Sequence, residues 1–264
     1  MEETPFLESL RIQLRVNIAL IKRHFISMYG RTGVGFLMLF IEPFVIMAAL
    51  VVLISVRRMQ TVTTFPVLAF ALSGWGIMWI CRYPINKMGS AVYGNISFLY
   101  HRNIKLIDLL MSRAIMLVMA TVTSFIFIFF LYSVFVEGKE YEMIYFFISL
   151  FLTLWYSFCI SMLTGVIAAF NKMGDKWLIL LSLFHAFTTG AFFMVDWLPK
   201  KYQTIALYFP LVHLTEMMRY GMFGNRVQCH FSLMYPIAFN IFLNFTVLAV
   251  LYRLLKLRIS YGTS

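Results

Sequence analysis

The sequence has few charged residues and none of the short motifs that mark an enzyme. Charged residues make up 12% of its 264 residues, against about a quarter in soluble domains. It contains no Walker A motif, no H-E-x-x-H or D-x-D pattern and no G-x-S-x-G. The eleven acidic residues and five histidines are scattered, so we predict no catalytic, cofactor-binding or metal-ligating residue in this chain.

The sequence also has few cysteines and shows no features of a signal peptide. Cys81, Cys159 and Cys229 lie far apart in or beside apolar runs, which argues against a disulfide framework. The N-terminus MEETPFLESLRIQLR lacks the basic start and apolar core of a signal peptide, and none is expected. The net charge is +11 without a nucleic-acid-binding motif, so the basic residues are interpreted as contacts with membrane lipids and no nucleic-acid partner is predicted.

What the sequence has is apolar surface, with 61% hydrophobic residues. A membrane-spanning helix needs about 20 apolar residues. We therefore predict an all-α integral membrane protein, a single domain over residues 1–264. Its six predicted spans are 33–56, 59–81, 114–136, 143–171, 177–195 and 227–252.

The first segment and the basic residues predict how the chain sits in the membrane. Apolar residues recur at helical spacing over 5–25, beside a basic face, which predicts an amphipathic helix on the membrane surface. With the N-terminus inside, the inner segments carry fifteen lysines and arginines and the outer segments seven. The positive-inside rule then places both termini in the cytoplasm.

Two groups inside the apolar runs are candidates for a pathway. Glu42 lies within the first predicted span, with either a structural or a pathway role, or else at the interface. His185 is a weaker candidate for ion coupling and is interpreted as a packing histidine. Aromatic rings stack on sugars, so a glycan path is one use of the following residues, an interfacial belt or packing being the other: Trp75, Trp79, Tyr83, Trp155 and Tyr156.

The stretch YFPLVHLTEMMRYGMFG, Tyr208 to Gly224, is apolar but too short to cross a bilayer. Pro210 suits the first turn of a helix. Glu216 and Arg219 can pair at i, i+3, with His213 on the same face. We predict two short helices over 196–226 that enter the membrane from outside and return. The ion pair is either a structural element of the outer interface or part of an external gate.

These elements in this order, with GFLMLFIEP (Gly35 to Pro43) in the first span and Tyr208–Gly224 before the last, resemble the permease subunits of type-2 ABC exporters. The resemblance is strongest to the capsular polysaccharide export permeases of the polysialic-acid transport type. It implies a homodimer in the bacterial inner membrane, bound to two copies of a separate ATPase that carries ATP and magnesium. It also implies periplasmic and outer-membrane export partners and an acidic, lipid-linked polysaccharide substrate.

The resemblance further implies that the basic cytoplasmic loop 86–113 contacts the ATPase. Its own sequence is compatible with docking in a groove of a soluble partner or with a loop on anionic lipid. The coupling residues are then Asn95, Ile96, Ser97, Phe98, Leu99, Tyr100, His101 and Arg102. Alternatives are an ABC permease for another lipid-linked glycan, such as O-antigen or teichoic acid, or for a drug, and a membrane enzyme acting on glycosyl lipids.

Overall fold

The protein is built from α-helices. The computed structural model describes residues 6–29, 67–89, 105–135, 141–170 and 174–261, together with scattered positions between 38 and 53. No strand occurs among these residues. The described positions between 38 and 53 are helical. The helices that can be bounded are α1 (Phe6–Tyr29), α2 (Val67–Met88), α3 (Leu106–Phe135), α4 (Met143–Phe170), α5 (Gly174–Thr188), α6 (Lys200–Ala206), α7 (Pro210–Phe223) and α8 (Met234–Tyr261).

Three of the described helices are long and apolar enough to cross a membrane: Leu106–Val134 of α3, Met143–Ala169 of α4 and Met234–Arg253 of α8. They correspond to the predicted spans 114–136, 143–171 and 227–252. The first predicted span, 33–56, lies mostly outside the described residues. The helix predicted over 5–25 is present as α1 and extends to Tyr29, and its place on the membrane surface stays a prediction.

The two remaining predicted spans differ from the helices found. α2 extends beyond the predicted end at 81, because the helix continues through Arg82 and Pro84 to Met88, while residues 59–66 of that span lie outside the described residues. α5 has 15 residues, about 22 Å of helix, since the chain turns at 189–194 before 195 is reached. The uncharged run 177–195 therefore extends beyond the end of the helix.

The loop predicted over 86–113 is shorter than expected. α2 ends at Met88 and α3 begins at Leu106, so both ends of the predicted loop belong to helices. The coupling residues Asn95–Arg102 lie outside the described residues.

α2 and α4 form the centre of the packing. α2 packs against α3, α4, α5 and α7, and α4 packs against α2, α3, α5, α7 and α8. The close approach uses a seam of small polar residues on α4, all fully buried: Ser149, Thr153, Ser157, Ser161 and Thr164. The Ser157 hydroxyl donates to the Ile80 carbonyl of α2 at 2.7 Å. That carbonyl lies four residues before Pro84, which has no N–H to offer it.

α6 and α7 are the two short helices expected between the last two spans, with 7 and 14 residues. A 3₁₀ turn, Val195–Trp197, precedes α6, and another, Gly224–Arg226, follows α7. Pro210 stands in the first turn of α7, as predicted. α7 packs against α2, α4 and α8, so it is held inside the helix bundle.

Candidate functional site

Arg219 of α7 is fully buried and lies at the centre of a polar cluster. Its Nη1 donates to the Phe193 carbonyl at 2.7 Å and to Glu216 Oε1 at 3.0 Å. Its Nη2 donates to the Gly190 carbonyl at 2.8 Å. The guanidinium also stacks 4.3 Å from the centre of the Phe70 ring of α2. One side chain thus connects α7, the turn after α5 and α2.

Glu216 completes this cluster from the other side. Its side chain is 1% exposed, and its Oε1 also accepts the backbone N–H of Val195 at 3.3 Å. Its Oε2 accepts the backbone N–H of His230, again at 3.3 Å. The carboxylate therefore links α7 to the segment that leads into α8. We call Phe70, Gly190, Phe193, Glu216 and Arg219 the Arg219 cluster.

Two glycines allow this cluster to form. Gly190 has φ +70°, in the left-handed region that side chains disfavour. At Gly74 of α2, an added Cβ would lie 2.7 Å from the Ala191 carbonyl oxygen and 3.1 Å from Arg219 Nη2. The turn after α5 can therefore reach α2 closely enough for its carbonyls to bind Arg219.

The four positions predicted for an external gate are all buried. Glu216 and Arg219 pair as their spacing predicts, but His213 bonds elsewhere. Its Nε2 donates to the Leu207 carbonyl at 2.8 Å, and its Nδ1 accepts the Ser232 N–H at 2.9 Å. Pro210 begins the helix and is buried too. The geometry makes this group a packed junction within one subunit, and its role as a gate stays a prediction.

Glu42 has partners on α2. Its Oε1 lies 2.7 Å from Lys87 Nζ, and its Oε2 accepts the Tyr83 hydroxyl at 3.1 Å. The two charged side chains are about one-third exposed, at 32% and 34%. Glu42 thus has the structural partner that one of its alternative roles required. The sequence did not identify Lys87 as that partner, because the helix was expected to end before it.

The residues of the predicted aromatic path differ in their exposure, and the glycan path stays a prediction. Trp75 and Trp79 are partly exposed on α2, whereas Tyr83 is 3% and Tyr156 is 6% exposed. Trp155 is partly exposed on α4. Tyr156 instead faces a neighbouring helix, as its bond to His185 shows.

His185 is hydrogen-bonded through both ring nitrogens. Its Nε2 accepts the Tyr156 hydroxyl at 2.8 Å, and its Nδ1 donates to the Leu181 carbonyl at 2.9 Å. A neutral ring satisfies both bonds. The interpretation of His185 as a packing histidine agrees with this geometry.

α1 is joined to the start of α3 by polar contacts that the sequence pattern did not indicate. Asp108 Oδ2 accepts the backbone N–H of Lys105 at 3.0 Å, as a capping-box residue does. Its Oδ1 accepts a hydrogen bond from Gln13 of α1. His24 of α1 donates through Nε2 to the Leu109 carbonyl at 3.1 Å. Burial, and then the charge of Arg113, lower the pKa of His24 from 6.5 to about 4.

No protein family model matches the chain. Individual relatives do match, over most of its length. The chain is 32% identical over 238 residues to the capsule polysaccharide export inner-membrane protein BexB of Haemophilus influenzae, covering 88% of each chain. It is 32% identical over 258 residues to the capsule polysaccharide export inner-membrane protein CtrC of Neisseria meningitidis, covering 97% of each. Identity to the polysialic acid transport protein KpsM of Escherichia coli is 27% over 248 residues, 89% of this chain.

Proposed function

Because the chain belongs to the family of capsule polysaccharide export inner-membrane proteins, we propose that it is the permease through which a bacterial cell exports capsule polysaccharide. The observation that carries the proposal is the 32% identity to CtrC along 97% of both chains. The membrane-length helices α3, α4 and α8 support a location in the inner membrane. The chain acts as a transport subunit and not as an enzyme.

The working unit is a pair of these chains, each with six spans and both termini in the cytoplasm. A separate ATPase dimer binds ATP and magnesium and contacts the loop between α2 and α3 through residues 95–102. Periplasmic and outer-membrane export proteins continue the route. The resemblance of the sequence to type-2 ABC exporters supports this assembly, and so does the distribution of lysine and arginine.

The substrate is an acidic polysaccharide carried on a lipid, such as polysialic acid. The net charge of +11 supports an anionic polymer, because a basic surface raises the local concentration of acidic chains. α6 and α7 enter the membrane from the outer side and return, which is how two helices of 7 and 14 residues can be accommodated there.

Deletion of the gene in its own host tests this function. The polymer should still be made and should accumulate in the cytoplasm, and the full-length chain should restore it to the cell surface. A strain that makes no polymer would instead indicate a biosynthetic enzyme. Normal surface polymer in the deletion strain would contradict the proposal.

A further inference from the structure

α2 is buried except along one narrow face. The described side chains that keep some exposure are Leu68, Trp75, Trp79, Arg82, Asn86 and Lys87. Trp75, Trp79, Arg82 and Asn86 follow one another at intervals of four, three and four residues, which places them on one face of the helix. We call these four residues the α2 stripe.

The tryptophans of the stripe are held in place by their neighbours. Trp75 meets the Phe192 ring edge-on at 5.3 Å, and Trp79 lies 6.3 Å from the Tyr83 ring. Both tryptophans also pack on a small cluster formed by Met78, Ala186 and Ala191. Their ring faces carry negative quadrupole charge, which attracts the weakly positive C–H edge of a sugar ring. Fixed rings of this kind suit a chain of sugars that slides past.

Arg82 adds a positive charge that the described part of the protein leaves without an acidic partner. Its Nε donates to the hydroxyl of Ser182, a buried residue of α5, at 2.8 Å. This contact fixes the guanidinium plane. None of the ion pairs among the described residues includes Arg82, and Glu42 is bound to Lys87 and Tyr83.

An arginine in this setting favours an anion over lipid. A charged group beside an apolar helix is costly when it faces hydrocarbon, so such residues face protein, water or a ligand. The guanidinium fork matches the two oxygens of a carboxylate or phosphate. Because Ser182 takes the Nε–H, the N–H groups on the two Nη atoms remain for a ligand.

We propose that Arg82 binds the acidic groups of the exported glycan, while Trp75 and Trp79 support its sugar rings and Asn86 hydrogen-bonds its hydroxyls. The inference rests on the proposed function and deepens it by assigning the residue that selects an anionic polymer. The competing occupants of the stripe are a second copy of this chain and membrane lipid.

Export by Arg82 variants tests the assignment in the deletion strain. Arg82→Gln should reduce surface polymer about tenfold, the loss expected for one charge-assisted contact, and the polymer should collect inside. Arg82→Lys keeps the charge but lacks the forked guanidinium, so its surface polymer should lie between that of the wild type and that of Arg82→Gln. Ser182→Ala frees the guanidinium and should cause a smaller loss than Arg82→Gln. Lys201→Gln removes an exposed charge on α6 and should export normally.

The amount of each variant in the membrane is measured alongside export. Surface polymer at the wild-type level in Arg82→Gln would overturn the inference and leave the proposed function standing. If the unmodified chain fails to restore export, the proposed function falls and the inference with it.

Photo-crosslinking identifies the occupant without removing Arg82. Benzoylphenylalanine is introduced at Trp79 in the full-length chain, and at Phe245 of α8, which is 67% exposed, as the control. A polymer-containing adduct at position 79 alone, absent from a strain that makes no polymer, supports the inference. An adduct with a second copy or with lipid that persists in that strain, or no adduct, overturns it.

Discussion

At the scale of single residues, Arg219 illustrates why a buried ion pair can hold a fold. Glu216 alone would leave part of the guanidinium unsatisfied, and backbone carbonyls of the turn after α5 accept hydrogen bonds from both Nη atoms. Burying such a charge is unfavourable unless an opposite charge and hydrogen-bond acceptors lie close to it. The interaction therefore depends on the arrangement of several segments and not on two opposite charges alone.

Exchanging the two charges separates these possibilities. In Glu216→Arg with Arg219→Glu, the carboxylate would face carbonyl oxygens and the Phe70 ring, and the guanidinium would face the N–H groups of Val195 and His230. We expect this double variant to be as unstable as Arg219→Met, about 3–5 kcal/mol below wild type. Thermal unfolding of the detergent-solubilised protein measures it, with Lys201→Met as the surface control. Recovery of wild-type stability by the exchange would show that charge pairing alone matters.

His24 predicts a pH dependence in the attachment of α1. Its pKa in the docked helix is about 4, against 6.5 for the free side chain. Because the pKa is lower in the docked state, His24 is protonated more readily when α1 is detached. The free energy that holds α1 in place is therefore at its full value above about pH 6.5 and falls as the pH drops toward 4, by up to about 3 kcal/mol.

Amide exchange of α1 at pH 7 and pH 4.5 measures this effect. Relative to the intrinsic amide exchange rate at each pH, exchange in α1 should accelerate at the lower pH in the wild-type protein. His24→Gln can keep a donor for the Leu109 carbonyl and removes the titration, so it should reduce the acceleration. His230→Gln, at an exposed position, should retain it. Equal acceleration in the wild type and His24→Gln would contradict the assignment.

At the scale of helices, α2 depends on α4 for a hydrogen bond that its own backbone cannot supply. Pro84 leaves the Ile80 carbonyl without an N–H at i+4, and Ser157 fills the position from α4. A proline that would weaken an isolated helix is thus tolerated because a neighbouring helix supplies the missing donor.

A double-mutant cycle tests this dependence. Ser157→Ala leaves the buried Ile80 carbonyl without its donor and should destabilise the protein by about 1–3 kcal/mol. In a Pro84→Ala background, the new N–H can bind that carbonyl, so Ser157→Ala should then have a clearly smaller effect. Unfolding temperatures of the four proteins give the coupling. If Ser157→Ala destabilises the protein equally in both backgrounds, the Ser157 hydroxyl does not replace the missing N–H of Pro84.

The sequence predicts helices well where apolar runs coincide with them and less well where backbone geometry intervenes. α3, α4 and α8 follow from long runs with few charges. α2 continues past its first charged residue, because Arg82 donates a hydrogen bond to Ser182 and Lys87 pairs with Glu42. α5 ends early at a turn that needs Gly190 at positive φ and Gly74 opposite it. Such contacts between distant segments are not visible in local periodicity.

The candidate sites show the same division. The Glu216–Arg219 pair follows from spacing within one helix. Its further partners at Phe70, Gly190 and Phe193 come from other elements, so the burial of the pair could not be read from the sequence. Asn95–Arg102 remain a prediction from the resemblance.

At the scale of the whole molecule, the proposed coupling loop enters the membrane domain at Asp108. This residue caps the first turn of α3 and binds Gln13 of α1. In the proposed assembly, a displacement of residues 95–102 by the ATPase is expected to reach α3 and α1 together through Asp108. This junction is the mechanical link that we propose between the ATPase and the helices of the permease.

Asp108→Ala should uncouple the two processes, because it removes both the cap of α3 and the contact with α1. We expect the ATPase to co-purify as before, since residues 95–102 are unchanged, while polymer exported per ATP hydrolysed falls severalfold. Gln13→Ala loses only the α1 contact and should have a smaller effect. Export and hydrolysis measured in the same membrane vesicles give the ratio. A ratio equal to wild type in Asp108→Ala would exclude this junction from the transmission route. Because Asp108 is buried, loss of ATPase binding would instead show that the change disturbs the docking residues 95–102.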